Sequence, residues 1–156
     1  MIFRRKFLKT LGISFLVFLS LPYKLLYSGS KKILNPDLSD QQKDVMFNEG
    51  TERAFTSDLL KENRNGYYHC ANCGAKLFAS NSKFDSGTGW PSFDRAIDNS
   101  ILFQIDYKIG YARNEIICSK CGSHLGHMFK DGPKNTTGER HCINSLALNF
   151  KPNKNE

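Results

Sequence analysis

Two short patterns in the sequence carry residue types that bind metals: Cys70-Ala-Asn-Cys73-Gly74 and Cys118-Ser-Lys-Cys121-Gly122. In each, a C-x-x-C turn aims two thiolates at one point, and the glycine that follows supplies permissive backbone to close the turn. Two such turns brought together make a closed tetrahedral four-cysteine site, the ligand set of structural zinc. Two disulfides, or a redox C-x-x-C, are the other chemistries open to these residues. A redox motif needs no twin, however, and neither pair opens a helix after a strand. The expectation is therefore one structural Zn2+ held by Cys70, Cys73, Cys118 and Cys121. The 44 residues between the pairs exceed the ~15–20 of a simple zinc ribbon, so the metal should tie two distant β segments together.

With four cysteines assigned, Cys142 is left over. An odd cysteine is a reactive thiol, an intermolecular bridge or an inert core side chain. It stands in Gly138-Glu139-Arg140-His141-Cys142-Ile143-Asn144-Ser145, where an extended strand would put Arg140, Cys142 and Asn144 on one face. A guanidinium beside a thiol lowers its pKa and favours the nucleophilic thiolate. An Asn on that face can hold a substrate. His124-Leu-Gly-His127 adds two imidazoles that could act as acids, bind a polar ligand or form a second metal site. The only Trp, Trp90, lies in Ser86-Gly87-Thr88-Gly89-Trp90-Pro91-Ser92-Phe93. It reads either as a core aromatic beside a turn or as a wall over a site that fits a methyl or thioether group.

The elements that must position these residues follow from local pattern. Asn35-Pro36 ends a linker over 31–37, because Pro turns its predecessor away from helix. Ser39 and Gln42 form a capping box that starts a helix, and Gly50 should stop it. A second short helix is expected from Ser57 to Glu62. Beyond Asn65-Gly66 the texture changes to short runs rich in Tyr, Phe and Ile: Tyr67–His69, Ala75–Ala79, Ile101–Ile109, Glu115–Cys118, His124–Phe129 and His141–Phe150. That spacing predicts antiparallel β structure with a helical prelude, not βαβ units. The polar end from Lys151 onward should fray, with 153–156 as a tail.

The chain of 156 residues is long enough for one domain with a real core. Its net charge of +7 and pI near 9.2 would suit a nucleic-acid or membrane partner. The charge is unevenly spread. Residues 1–30 hold five basic side chains and no acidic one, leaving 17 basic against 15 acidic residues in the rest, a net of +2. No nucleic-acid partner is expected. The basic start Arg4-Arg5-Lys6-Phe7-Leu8-Lys9 followed by an apolar run to Leu21 has the layout of an export signal. The Arg-Arg-x-Phe-Leu-Lys order resembles a twin-arginine signal, which predicts an exported, periplasmic protein or a membrane anchor facing outward. Any membrane contact is assigned to this segment alone.

Five motifs in register resemble one family. Gly50-Thr51-Glu52-Arg53-Ala54-Phe55, the two C-x-x-C-G turns, Gly89-Trp90-Pro91-Ser92-Phe93, His124-Leu-Gly-His127 and Arg140-His-Cys142-Ile-Asn144-Ser145 occur in the order of the peptide-methionine (R)-S-oxide reductases, the B class of methionine sulfoxide reductases. The resemblance spans Leu38 to Pro152. It implies a mainly β fold of two antiparallel sheets with short peripheral N-terminal helices and a structural zinc on the four paired cysteines. It implies an oxidoreductase that acts on oxidised peptides and proteins, with Cys142 as nucleophile and Trp90 packing the sulfoxide methyl. His124, His127, Asp131, Arg140 and Asn144 match the family's polar site positions. Selectivity for the R epimer is implied in the same way.

The chemistry of the residues agrees with that implication. Thiolate attack on the sulfoxide sulfur needs an acid for the leaving oxygen, and either His could be that acid. Many family members carry a second cysteine in the loop before Trp90, where Thr88 stands here. With four cysteines on zinc, an external thiol (thioredoxin-like or another reductant) is expected to regenerate Cys142. The chain is expected to act as a monomer. A zinc-ribbon binding module would leave Cys142 and the Trp90 loop without a role. A zinc hydrolase or deaminase would need an H-x-E or H-E-x-x-H pattern, which does not occur.

Overall fold

The protein is described by a computed structural model over residues 31–154. The export segment expected over 1–30 lies outside the described residues, as does the end of the tail. Among the described residues no helix is long and apolar enough to cross a membrane.

Helix α1 (Asp40–Asn48) starts as its capping box requires: the Ser39 side chain accepts from Gln42 N, and the Gln42 side chain accepts from Ser39 N. The left-handed residue that ends it is Glu49 (φ 57°), one before the expected Gly50. The second helix expected over Ser57–Glu62 is only a 3-10 turn, Asp58–Leu60. Lys83 Nζ donates to the carbonyls of Leu60 and Glu62 at 2.9 and 3.1 Å, which satisfies acceptors that a longer helix would have claimed.

The rest is antiparallel β, in two sheets as expected. The smaller sheet has the order β2 (Lys76–Ala79), β1 (Gly66–Cys70), β9 (Leu148–Pro152). The larger has six strands in the order β3 (Lys83–Phe84), β4 (Ser92–Phe93), β8 (Arg140–Ile143), β7 (His124–Phe129), β6 (Arg113–Cys118), β5 (Ile101–Asp106). Tyr68, Phe78 and Phe93 link the sheets: Phe78 stacks on Phe93 at 4.3 Å, and Tyr68 meets it edge-on at 4.9 Å. Val45 and Met46 of α1 join the same core. Such aromatic packing buries apolar surface between the two sheets and so stabilises their contact.

Two expectations need correction. The run His141–Phe150 is two strands in different sheets, parted by a 3-10 turn at Ser145–Ala147. Asn144 therefore does not continue the Cys142 strand; it caps the turn. The chain leaves the sheet there because Glu52 captures the next backbone donors, as described below. Lys151 and Pro152 are not frayed either, since they pair with Tyr67 and Gly66 in β9.

Candidate active site

The two C-x-x-C-G turns are copies of each other. Cys70 N donates to Ala75 O and Gly74 N to Cys70 O; Cys118 N donates to Ser123 O and Gly122 N to Cys118 O. Gly74 and Gly122 sit at φ 71° and 68°, a conformation that side chains with a Cβ rarely adopt. The turns close β1 to β2 and β6 to β7, one in each sheet, and bring all four sulfurs within 4.8 Å of one another. Cys70 Sγ is 3.7 Å from Cys121 Sγ, and Cys73 Sγ is 3.6 Å from Cys118 Sγ. All five cysteines are free, and the paired sulfurs stand well beyond a disulfide bond length. The edge of a tetrahedron with metal–sulfur bonds of 2.3 Å is about 3.8 Å. The donor set and spacing thus fit a four-coordinate, thiophilic metal ion.

Cys142 lies in β8, two strands across the larger sheet from Cys118 at the end of β6. Register makes Ser92 and His127 its two cross-strand partners, and Glu115 is in turn the partner of His127. Side chains directly opposite each other share a sheet face. A regular strand would put His124 and His127 on opposite faces. A bulge resolves this: the β6–β7 register shifts between Ile116 and Ile117, leaving Leu125 unpaired. His124 and His127 then share a face, with ring centroids 5.3 Å apart. Gly126 sits where this bend presses on β8; a Cβ there would lie 2.0 Å from Cys142 O.

The histidines occupy different surroundings. His127 lines a cavity of about 160 Å³ together with Trp90, Cys142, Asn144, Phe129 and Arg113. Its Nε2 is 2.9 Å from Asp106 Oδ2, an oxygen that also takes Arg113. Ionised Asp106 can only accept, so Nε2 carries the proton and Nδ1 is left for the site. Burial lowers the His127 pKa against the opposing pull of Asp106, so the resting ring is neutral. His124 is 1% exposed, bonds Glu115 Oε1 through Nδ1 at 2.7 Å and does not line the cavity.

Arg140 reaches Cys142 along β8, packs its guanidinium over Phe129 at 4.5 Å and is forked by Asp131 at 2.8 and 2.9 Å. Asp131 itself is 61% exposed and outside the cavity. Burial pushes the Cys142 thiol above the ordinary thiol range, although Arg140 and the Thr88 hydroxyl both pull it down. The sequence expectation of a net-lowered pKa is thus reversed, because desolvation outweighs one partly screened cation. Alkylation of Cys142 by iodoacetamide should rise through a midpoint above that of a free thiol. In Arg140→Gln the midpoint should climb further. A midpoint below the free-thiol value would refute this balance.

Trp90 is held from behind. Its Nε1 donates to Glu52 O at 3.1 Å. The Glu52 carboxylate accepts from Ser145 N, Ser145 Oγ and Leu146 N, while Glu52 N donates to Asn144 Oδ1. Asn144 Nδ2 donates to Leu125 O at 3.2 Å, on the bulged residue. One partly buried network therefore sets the indole, the corner after Cys142 and the bulge between the histidines. Glu52, Asp106, Arg113 and Glu115 were not singled out by sequence reasoning as site residues. Alternating charges in β6 were a signal for Arg113 and Glu115, and Glu52 lay in one of the five family motifs without a role assigned; nothing local marked Asp106.

The cavity is below the ~300–1,000 Å³ of typical small-molecule sites. It has room for the end of one side chain, beside a thiol, an indole and an imidazole. A wider groove of about 980 Å³ between α1 and β9 holds no cysteine or histidine in its lining.

Comparison with known proteins agrees with this geometry. Residues 38–152 match the SelR domain family. A peptide methionine sulfoxide reductase MsrB of Chromohalobacter salexigens is 51% identical over 116 residues, 74% of this chain and 87% of the relative. The MsrB of Thiobacillus denitrificans is 50% identical over 117 residues, 74% of this chain and 88% of the relative. That of Methanosarcina barkeri is 48% identical over 122 residues, 78% and 82% of the two chains. A crystal structure of the Mis18 'Yippee-like' domain is similar at TM-score 0.48 and 15% identity, covering 59% of this chain and 100% of that one, a likeness too distant to carry function. The chain belongs to the SelR family of peptide methionine sulfoxide reductases of the MsrB kind, oxidoreductases that act on oxidised methionine in proteins.

Proposed function

We propose that Cys142 reduces the R epimer of protein-bound methionine sulfoxide by direct attack of its Sγ on the sulfoxide sulfur. The observation that carries this is the pairing of Cys142 with His127 in a cavity walled by Trp90. The indole receives the methyl group, which also fixes where the oxygen points. A stereogenic sulfur held at three points presents its fourth position to Sγ in one epimer only; that this is R follows from the family resemblance.

At neutral pH the resting pair is a thiol and a neutral imidazole. The thiol proton passes to His127 Nδ1, and Asp106 supports the imidazolium so formed. That imidazolium protonates the sulfoxide oxygen as Sγ attacks. The net step converts Cys142–SH and the sulfoxide into Cys142–SOH and methionine. His124, held by Glu115, braces the bulge. Arg140, oriented by Asp131, stabilises the thiolate.

An external thiol reductant, thioredoxin-like or small, then turns Cys142–SOH back into the thiol, forming its own disulfide and water. Thr88 supports this, because its hydroxyl occupies the place beside Cys142 from which a loop cysteine would resolve the sulfenic acid. The four-cysteine site holds a structural Zn2+ and takes no part in the chemistry. After one turnover without reductant, intact mass should rise by one oxygen located on Cys142, with no internal disulfide. A bridge from Cys142 to Cys70, Cys73, Cys118 or Cys121 would sink the one-cysteine cycle.

The enzyme works as a monomer outside the cytoplasm, exported through residues 1–30. Ser28-Gly29-Ser30 follow the apolar run without an A-x-A site, and we take the segment to be retained as an anchor.

A further inference from the structure

Most of the large apolar side chains exposed among the described residues fall together, while Phe55, 70% exposed, stands apart beside Gly89. Phe103, Ile105, Tyr107, Ile109 and Tyr111 are 43, 43, 68, 50 and 60% exposed, all on β5 and the turn into β6. Ile33 and Leu34, at 50% each, follow the first described residues. Single exposed apolar residues need no explanation, but a contiguous patch marks an interaction surface.

Ile33 and Leu34 themselves lie on the segment bonded to Ala71 and Asn72, but just before them two contacts meet at the end of α1. Lys31 Nζ pairs with Glu49 Oε1 at 2.7 Å. Lys108, at the tip of the turn, donates to the carbonyls of Asn48 and Glu49 at 2.8 and 3.0 Å. The chain therefore arrives from residues 1–30 at the same end of α1 that seats the β5–β6 turn. Residues 107–113 read Tyr-Lys-Ile-Gly-Tyr-Ala-Arg, without an acidic side chain. Tyrosines flanking an aliphatic residue with cations alongside are the composition of a membrane–water interface. Lys108 ties the turn to α1 while Tyr107, Ile109 and Tyr111 stay exposed, a convex arrangement that suits a fluid surface.

We propose that the 107–111 turn docks into the headgroup layer of the bilayer that holds the N-terminal segment, a proposal that rests on reading residues 1–30 as an anchor. Asp106 and Arg113, which brace the active site, stand at the two feet of this turn. Docking would hold the Cys142 cavity close to the membrane surface, within reach of oxidised methionines on membrane-associated proteins.

The test uses the full chain in vesicles of phosphatidylethanolamine and phosphatidylglycerol, against the same chain in small detergent micelles. Hydrogen exchange at amides 105–112 should be roughly tenfold slower in vesicles. The triple variant Tyr107→Ser/Ile109→Ser/Tyr111→Ser should lose that protection while its activity on a soluble sulfoxide peptide is unchanged. Cosedimentation without protection would overturn the docking and leave the anchor standing. No cosedimentation would overturn both. Slow exchange in both environments would mean that a second copy or the N-terminal segment covers the turn, which also defeats the proposal.

Discussion

Cys142→Ser should lose sulfoxide reduction by ~10³-fold or more while keeping its metal and its melting temperature. The serine hydroxyl fits the same partly buried position between Ser92 and His127, so packing is conserved. The chemistry is not conserved. A hydroxyl stays protonated where a thiol ionises, and oxygen lacks the polarisable sulfur that attacks another sulfur. No other thiol can substitute, since the other four cysteines lie together in the metal site. Turnover of a sulfoxide peptide, followed by methionine release, measures the effect. A variant retaining a tenth of wild-type turnover would remove Cys142 from the reaction. A large fall in melting temperature would instead mark it as structural.

The second large effect concerns the metal. Cys118→Ser, or chelation of the wild type, should unfold the domain at physiological temperature or lower its melting point by about 15 °C or more. Structural zinc contributes ~10–16 kcal/mol in small metal domains, comparable with the whole ~5–15 kcal/mol stability of a typical fold. Here three of the four ligands, Cys70, Cys118 and Cys121, are core residues. They pin the β1–β2 turn of one sheet to the β6–β7 turn of the other. Without the ion, buried thiols crowd at 3.6–3.7 Å with no charge to organise them. Metal content together with thermal denaturation provides the measurement. Full stability after complete metal loss would show that aromatic packing alone holds the sheets.

These two outcomes separate cleanly because Cys142 is not part of the four-cysteine cluster. Cys118 ends β6 at the four-cysteine cluster, whereas Cys142 sits mid-strand in β8 facing the bulge. Loss of activity through Cys142 should leave far-UV and near-UV spectra alone. Loss through Cys118 should change both.

The sequence by itself determined what local chemistry and short-range pattern can encode. The paired C-x-x-C-G turns announced a four-thiolate cluster, because the ligand geometry is built within five residues of chain. The Ser39–Gln42 capping box gave the start of α1 for the same reason. Short aromatic runs between turn residues pointed to antiparallel β structure, the family resemblance implied its division into two sheets, and the spare fifth cysteine pointed to Cys142. Tertiary structure decided whatever depends on partners distant in the chain. The bulge at Leu125 put His124 and His127 on one face, a result no period-2 reading could give, because it arises from a register shift against β6. Asp106 chose His127 as the ring facing the cavity, and Glu115 drew His124 into the interior. Glu52, more than ninety residues before Ser145, turned the chain out of the sheet after Cys142 and set the indole of Trp90. Desolvation raised the Cys142 thiol despite Arg140, since burial is a property of the packed fold and not of the neighbouring residue types.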